Sequence, residues 1–303
     1  MNIKEKTMKN VLNAPFLKET AKTASNMYRL GWDERNGGNI SRLLDEEEYK
    51  DYIDVTNVIR EIPLGFDANS LKGRVFIVTG TGKYFKNVED DPETNLGIIR
   101  IKEDGKVAQL LWGYKDGGRF TSEFPAHMMS HMARLSENPK NRIVMHTHPT
   151  HLLAMNYVHE LDEKKLTHTL WQMSTECIVV FPDGVGVLPW MLCGTNEIGV
   201  ATAEKMKEFR VVVWALHGVY GAGEIIDEAK LPMKFFAYTP CYRKEAGSYR
   251  AEERGMIRGH QFNKVEMVQY AHPEHSKEAF EELVGKACSL MEKLGLHFRL
   301  SKL

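Results

Sequence analysis

The sequence has few cysteines, and they are scattered. Cys177, Cys193, Cys241 and Cys288 are the four in 303 residues, and no two form a C-x-x-C pair. A disulfide framework and a cysteine-built zinc ribbon are thereby excluded, and free thiols in a reducing compartment are expected. No apolar run reaches transmembrane length. The opening Met-Asn-Ile-Lys-Glu-Lys lacks the apolar core of a signal peptide. Neither a Walker A loop nor a Rossmann fingerprint occurs. Charge of either sign is not in excess: 40 Lys and Arg face 41 Asp and Glu, a formal net of −1. That balance gives no case for a nucleic-acid or membrane partner. The expectation is a cytoplasmic globular protein, which 43% hydrophobic and 27% charged residues also fit.

One local absence divides the chain. Residues 230–303 contain no Asp, and hold 13 Lys and Arg against 9 Glu, whereas residues 1–229 hold 27 Lys and Arg against 32 Asp and Glu. The shift predicts two segments of different origin, 1–229 and 230–303.

The chemistry-bearing stretch is Arg142-Ile-Val-Met-His-Thr-His-Pro-Thr150. In an extended strand, residues two apart leave the same face, so His146 and His148 would converge on one spot. The apolar run Val211-Val-Val-Trp-Ala-Leu is too short for a typical helix and ends on His217-Gly218. It reads as a second buried strand that delivers an imidazole at its C-terminal end. Three His with an open fourth position is a common catalytic zinc recipe. A satisfied core or surface role is the alternative for any one of them.

Upstream, residues 11–31 place Leu17, Ala21, Ala24 and Tyr28 on one helical face, and Gly31 can end that helix. Asn36-Gly37-Gly38-Asn39 reads as a tight turn with exposed backbone N–H groups, a hairpin turn or an anion nest. Residues 43–72 read as a charged, irregular surface excursion. Val75–Thr79 reads as a short strand running into Gly80-Thr81-Gly82-Lys83, a second candidate phosphate loop. Thr121-Ser122-Glu123-Phe-Pro-Ala-His127 reads as a helix start, with Ser122 as cap and Glu123 as a first-turn acid. Beside a metal, Glu123 becomes a candidate ligand or general base. His127 and His131 also have metal spacing, but Met128, Met132 and Leu135 mark a packing helix, so both are read as core or helix-surface residues. Helices are expected from Pro149 to Val158 and from Gly194 to Phe209, the latter capped by Thr195. Residues Trp171–Gly184 read as a turn into a strand, and Gly186–Trp190 as a short strand or loop. The class is therefore mixed α/β.

Together, these stretches resemble the zinc-dependent class II aldolases. The matching segments are Gly31–Asn39, Phe76–Lys83, Thr121–His127, Met145–His148, Ser174–Trp190 and His217–Gly221. The block Ser174–Trp190 points to one branch of that family, distinct from the fuculose-phosphate aldolases and ribulose-phosphate 4-epimerases. The resemblance implies a mainly antiparallel central sheet flanked by helices, and one zinc on His146, His148 and His217. It implies Glu123 as acid/base, and as a ligand when substrate is absent. Asn36, Gly37, Asn39, Thr81, Gly82, Thr121 and Ser122 would hold the phosphate of a small sugar-phosphate substrate. Glu176 would be a second acid reaching a neighbouring subunit's site in a homotetrameric ring.

After Ala229 the pattern changes. Leu231–Ser248 and Arg254–Glu266 closely resemble motif 2 of seryl-tRNA synthetases, with Arg243 and Glu245 at its ATP-contacting Arg-x-Glu. Read from the residues, this is a hairpin with a charged loop and then a helix. Phe280, Leu283, Val284, Ala287, Met291 and Leu294 make that helix's apolar face, and Gly295 ends it. The serine pocket, third motif and coiled coil have no counterpart here, so synthetase activity is not expected. The terminal Ser301-Lys302-Leu303 matches the peroxisomal address but is read as an accident of a synthetase-like strand. Two alternatives to an active aldolase follow: a folded but inactive metal-binding chimera, and an ATP-binding module acting through Arg243.

Overall fold

The computed structural model describes residues 8–174, 176–242 and 260–301. It divides into two compact units: Met1–Thr167 with Asp183–Ile225, and His168–Pro182 with Ile226–Leu303. Arg243, Glu245 and the charged hairpin loop lie outside the described residues.

The first unit is built on one sheet. Its strands are β1 (Asn39–Leu44), β2 (Arg60–Pro63), β3 (Val75–Thr79), β4 (Leu96–Ile101), β5 (Val107–Gly113), β6 (Ile143–Thr147), β7 (Gly186–Leu188), β8 (Val211–Trp214) and β9 (Gly218–Gly223). Their order is β2-β5-β4-β3-β1-β6-β9-β8-β7. Every pairing is antiparallel except β7 with β8. The helices in chain order are α1 (Pro15–Arg29), α2 (Glu46–Tyr49), α3 (Pro92–Asn95), α4 (Phe124–Glu137), α5 (Thr150–Val158), α6 (Glu163–Met173), α7 (Glu176–Val180), α8 (Asn196–Met206) and α9 (Ser276–Lys293). This is a mixed α/β fold with a mainly antiparallel sheet, as the sequence implies.

Burial explains the placement. Strand β3 is apolar without alternation and is buried along its whole length, as a strand covered on both faces must be. One face packs Phe16, Leu17, Ala21 and Ala24 of α1 against Ile40, Val75, Ile77 and Ile98. Phe124 and Met128 of α4 pack with Phe76, Val78 and Ile99 in a second cluster. Helix α8, capped by the Thr195 hydroxyl on Ile198 N–H, packs with Val212, Trp214 and Tyr220. Among the described residues no helix is long and apolar enough to cross a membrane.

Three expectations are corrected. Tyr28 is 43% exposed, and Met27 takes the buried place at the end of α1. The 43–72 segment is not mere surface: it carries the end of β1, all of α2 and edge strand β2, and it buries Ile53, Ile62, Leu64 and Leu71. Only Ile62 of β2 faces inward and Pro63 ends the strand, so the apolar signal there is too thin to read. Cys177–Phe181 is not a strand. Glu176–Val180 forms helix α7, packed on the hairpin of the second unit. Tertiary contact overrides the β-branched preference of Ile178 to Val180.

The second unit pairs β10 (Met233–Tyr242) with β11 (Gln261–Tyr270), antiparallel, and adds α9. Lys234 reaches Glu282 of α9 at 2.7 Å, and Lys286 shares the same carboxylate, which holds its pKa down at about 2. Helix α9 ends as expected: Gly295 has φ +66, its N–H bonds Glu292 O, and Leu296 N–H bonds Met291 O. Yet Ala237 is the unit's one buried apolar residue among those described, and Phe280 and Leu294 of the expected apolar face stay exposed. So small an element cannot bury a core of its own.

Candidate metal centre

The sheet register assembles the site. Asn39 of β1 pairs with His146 of β6, and His146 pairs with Tyr220 of β9. Residues directly opposite one another share a face, so these three side chains stand side by side. Glu123, the N-cap residue of α4, lies over them. Its Oε2 accepts from Tyr220 Oη at 2.8 Å and from Asn39 Nδ2 at 3.0 Å, and lies 3.6 Å from His146 Nε2. Its Oε1 lies 3.6 Å from His217 Nε2. Ser122 does not cap α4, because the helix begins one residue later than the sequence suggests and Glu123 takes the cap position without a side-chain cap bond.

The three expected imidazoles do meet. Ring centroids of His146, His148 and His217 form a near-equilateral triangle with sides of 4.9, 5.1 and 5.1 Å. His146 is the penultimate residue of β6, and His148 lies just beyond the strand, where its N–H bonds Trp32 O. His217 is not on a strand end. It sits in the three-residue turn between β8 and β9, after Leu216 at φ +60. That left-handed residue costs roughly 1–2 kcal/mol, offset here by the Asn156 Oδ1 that accepts its N–H. Gly218 has no substitute: a Cβ there would meet His148 Cδ2, Thr147 O and His146 Cε1 within 2.7 Å.

The donor set fits a cation. His146 Nδ1 faces Val219 O at 3.1 Å, so it carries the proton. His148 Nδ1 faces the Glu34 carboxylate at 2.7 Å and carries one as well. Both Nε2 atoms are then bare, and they face each other at 3.1 Å. Two lone pairs so close repel unless a positive charge lies between them. In a tetrahedral zinc site with Zn–N of about 2.0–2.1 Å, neighbouring nitrogens sit roughly 3.3 Å apart. Burial holds His146 well below the usual histidine range, and the neighbouring His148 and His217 lower it further. Burial also lowers His217, against the opposing pull of Glu123. Both rings stay neutral and able to ligate. A second candidate group, Glu123, Cys193 and His217, shares His217 with the three imidazoles.

Behind Glu123 runs a buried relay with one consistent proton arrangement. Asn39 Nδ2 donates to Glu123, so its Oδ1 accepts from His127 Nε2–H. His127 Nδ1, 2.7 Å from Ser41 Oγ, then accepts the hydroxyl proton, and Ser41 Oγ accepts from His131 Nε2–H at 2.8 Å. His127 and His131 are thus core residues, as read, but they orient the acid. Burial pushes His131 down to about 3 and His127 well below its usual range. Unfolding restores both to about 6.5, so the unfolded chain binds more protons between those values. Stability of the metal-free protein is full above pH 6.5 and falls as pH drops below it, by up to about 1.4 kcal/mol per pH unit for each ring. Urea unfolding of chelator-treated protein at pH 7, 6 and 5 measures this; an unchanged midpoint contradicts it.

The expected phosphate groups gather at the same sheet end, around the start of β1 and the ends of β3 and β6. Ile40 N–H bonds Thr79 Oγ1, Thr121 N–H bonds Thr79 O, and Thr81 N–H bonds Arg119 O. The Asn36–Asn39 turn is not a free nest, however: Gly37 N–H bonds Glu34 O and Gly38 N–H bonds Asp33 Oδ1. Both ends of the Asn39 amide are engaged, and Lys83 is paired with Asp116. Asn36, Thr81, Gly82 and Ser122 are exposed, whereas Thr121 is buried, its Oγ1 accepting from Glu123 N–H. Gly37 has a packing role, since a Cβ there would lie 2.7 Å from His148 Nδ1. Gly37→Ala should tilt that ring and weaken metal binding by about 10–100-fold, the usual cost of a lost orienting contact. Titration against a competing chelator checks this, and unchanged affinity refutes it. Glu176 lies in the other unit, where the Ser174 hydroxyl lowers its pKa.

Residues 18–239 match the family described as class II aldolase and adducin N-terminal domain, and residues 216–303 match the class II tRNA synthetase core domain of the G, H, P, S and T enzymes. A rhamnulose-1-phosphate aldolase of Listeria monocytogenes (strain HCC23) is 64% identical over 220 residues, covering 73% of this chain and 81% of that protein. The protein of the same name from Enterococcus faecalis is 63% identical over 219 residues, covering 72% and 78%. Among solved structures, a sugar-phosphate aldolase from Thermotoga maritima superposes with TM-score 0.59 at 30% identity, covering 68% of this chain and 84% of that one.

Proposed function

The chain belongs to the class II aldolase and adducin N-terminal domain family, and from that premise we propose that it cleaves L-rhamnulose 1-phosphate reversibly to dihydroxyacetone phosphate and L-lactaldehyde. The observation that carries this reading is the triangle of imidazoles beside a buried carboxylate, at the sheet end where the expected phosphate groups gather. The 64% identity to a protein of that activity supports the substrate.

His146, His148 and His217 would hold one zinc, which when bound supplies a Lewis acid for the negative charge that grows on the ketose oxygens. Glu123 handles the proton at carbon. Two donors fix its Oε2, which leaves Oε1 to move a proton: as the C–C bond breaks, the hydroxyl that becomes the aldehyde gives up its proton and Glu123 delivers one to the dihydroxyacetone phosphate carbon, both transfers reversing in the condensing direction. The phosphate, held at the exposed Asn36, Thr81, Gly82 and Ser122, supplies binding energy remote from the reacting bond and fixes orientation. In this reading the protein is a cytoplasmic fourfold ring, and Glu176 serves a neighbouring subunit's site. Residues 1–229 form the catalytic part and residues 230–303 an appended synthetase-like fragment.

The test is turnover of rhamnulose 1-phosphate, followed as dihydroxyacetone phosphate with and without a chelator. Product that the chelator abolishes and zinc restores is expected; no chelator-sensitive product refutes the reading. One observation favours a second reading, an impaired metal-binding chimera: the second unit buries a single apolar residue among those described. Stoichiometric zinc without turnover would establish it.

A further inference from the structure

Cys193 is the first unit's sole cysteine, the other three lying in the second unit. It is exposed and unbridged, in the segment between β7 and α8. The fold brings that segment to Glu123. Gly194, at φ +74, lies in van der Waals reach of the residue just before Glu123, where a Cβ on it would lie 3.4 Å from Ser122 O. As a result Cys193 Sγ, a Glu123 oxygen and a His217 ring nitrogen all lie within 4.8 Å of one another. His217 belongs to this group and to the three-imidazole group alike. The thiol therefore approaches the centre from the side of Glu123.

We propose that Cys193 is a displaceable fourth protein ligand of the metal, taking the position of a Glu123 oxygen when no ketose phosphate is bound. In that step the S–H proton leaves to solvent and a sulfur lone pair binds the metal. Sulfur ligation requires this exposed side chain to swing from Glu123 and His217 towards the imidazole triangle, since a tetrahedral site with a Zn–S bond of about 2.3 Å and Zn–N bonds of about 2.0–2.1 Å sets ligand separations of roughly 3.6 Å. A thiolate also biases the centre towards softer ions than three imidazoles and a carboxylate would. Substrate oxygens then compete with sulfur, and the resting site is closed to water.

The inference rests on the metal centre proposed above, and cobalt absorption separates the two. Full-length chain is stripped and reloaded with Co2+. Visible ligand-field bands report cobalt in the histidine site, and a near-ultraviolet thiolate-to-cobalt band reports sulfur on it. The expected result is both bands in the unaltered chain, with the near-ultraviolet band fading on addition of dihydroxyacetone phosphate. Cys193→Ser should lose the near-ultraviolet band and keep the visible ones, which also shows that the variant is folded. Visible bands without a near-ultraviolet band in the unaltered chain overturn the sulfur ligand, as does a near-ultraviolet band that survives Cys193→Ser. Absence of any cobalt spectrum instead overturns the metal centre itself, and the sulfur ligand falls with it.

Discussion

Glu123→Gln should lower kcat for ketose 1-phosphate cleavage by about 10²–10⁴-fold, the range that a positioned acid/base supplies, while one metal per chain stays bound. Gln has nearly the same shape, and its carbonyl oxygen can still accept from Tyr220 and Asn39, which hold the carboxylate now at 2.8 and 3.0 Å. Neither buried donor is orphaned, so the roughly 1–3 kcal/mol cost of an unmet polar group is avoided. What is lost is the ability of Oε1 to exchange a proton. Were Glu123 only a ligand, metal affinity would fall and turnover per bound metal would not. Measuring kcat together with metal content at saturating substrate separates the two roles.

His217→Ala should lose stoichiometric metal and all chelator-sensitive turnover. Its ring is one corner of the triangle, and two imidazoles cannot enclose an ion against water. The fall in affinity should exceed the roughly 10–100-fold that follows loss of a mere outer contact. Folding should survive, because the His217 side chain is partly exposed in a turn, whereas His146 is fully buried between Trp214 and Tyr220. Competition with a chromogenic chelator gives the affinity. Retention of one tight metal per chain would remove His217 from the centre.

The three imidazoles were legible in the sequence for a physical reason. A period of two is a local property, so His146-Thr147-His148 announces its own convergence; the apolar run before His217-Gly218 announced strand β8, but not that its imidazole would stand in the turn beyond the strand's end. Glu123 was visible only as an acid near a helix start; its orientation comes from strands 84 and 97 residues away. Tyr220 carried no signal of its own, because its place beside His146 exists only once β6 and β9 are in register. Cys193 was passed over as one of four scattered thiols, and what marks it is the Gly194 backbone against Ser122. The relay through Ser41 likewise depends on β1 facing α4. The phosphate loops were overread: Gly-Gly and Gly-Thr-Gly suggested free N–H groups, yet Gly37, Gly38 and Thr81 give theirs to internal acceptors. The strand expected within Trp171–Gly184 became α7 because the hairpin it packs on lies far along the chain, beyond Leu231.

The tail was legible as composition before it was legible as structure. An abrupt loss of Asp and a shift to positive charge marked the change near Ala229, and the matches to two families overlap there, at residues 216–239. Its poor burial could not be read from its pattern, since α9 has a genuine apolar face; what the described residues lack is enough surface to cover it.

The most direct measurement is the metal content and zinc-edge X-ray absorption of the purified full-length chain. One zinc per chain, with imidazole scattering from three nitrogens at about 2.0–2.1 Å, is the predicted result. A chain that takes up no stoichiometric zinc, or holds it without imidazole scattering, would contradict the claim that His146, His148 and His217 form a metal centre.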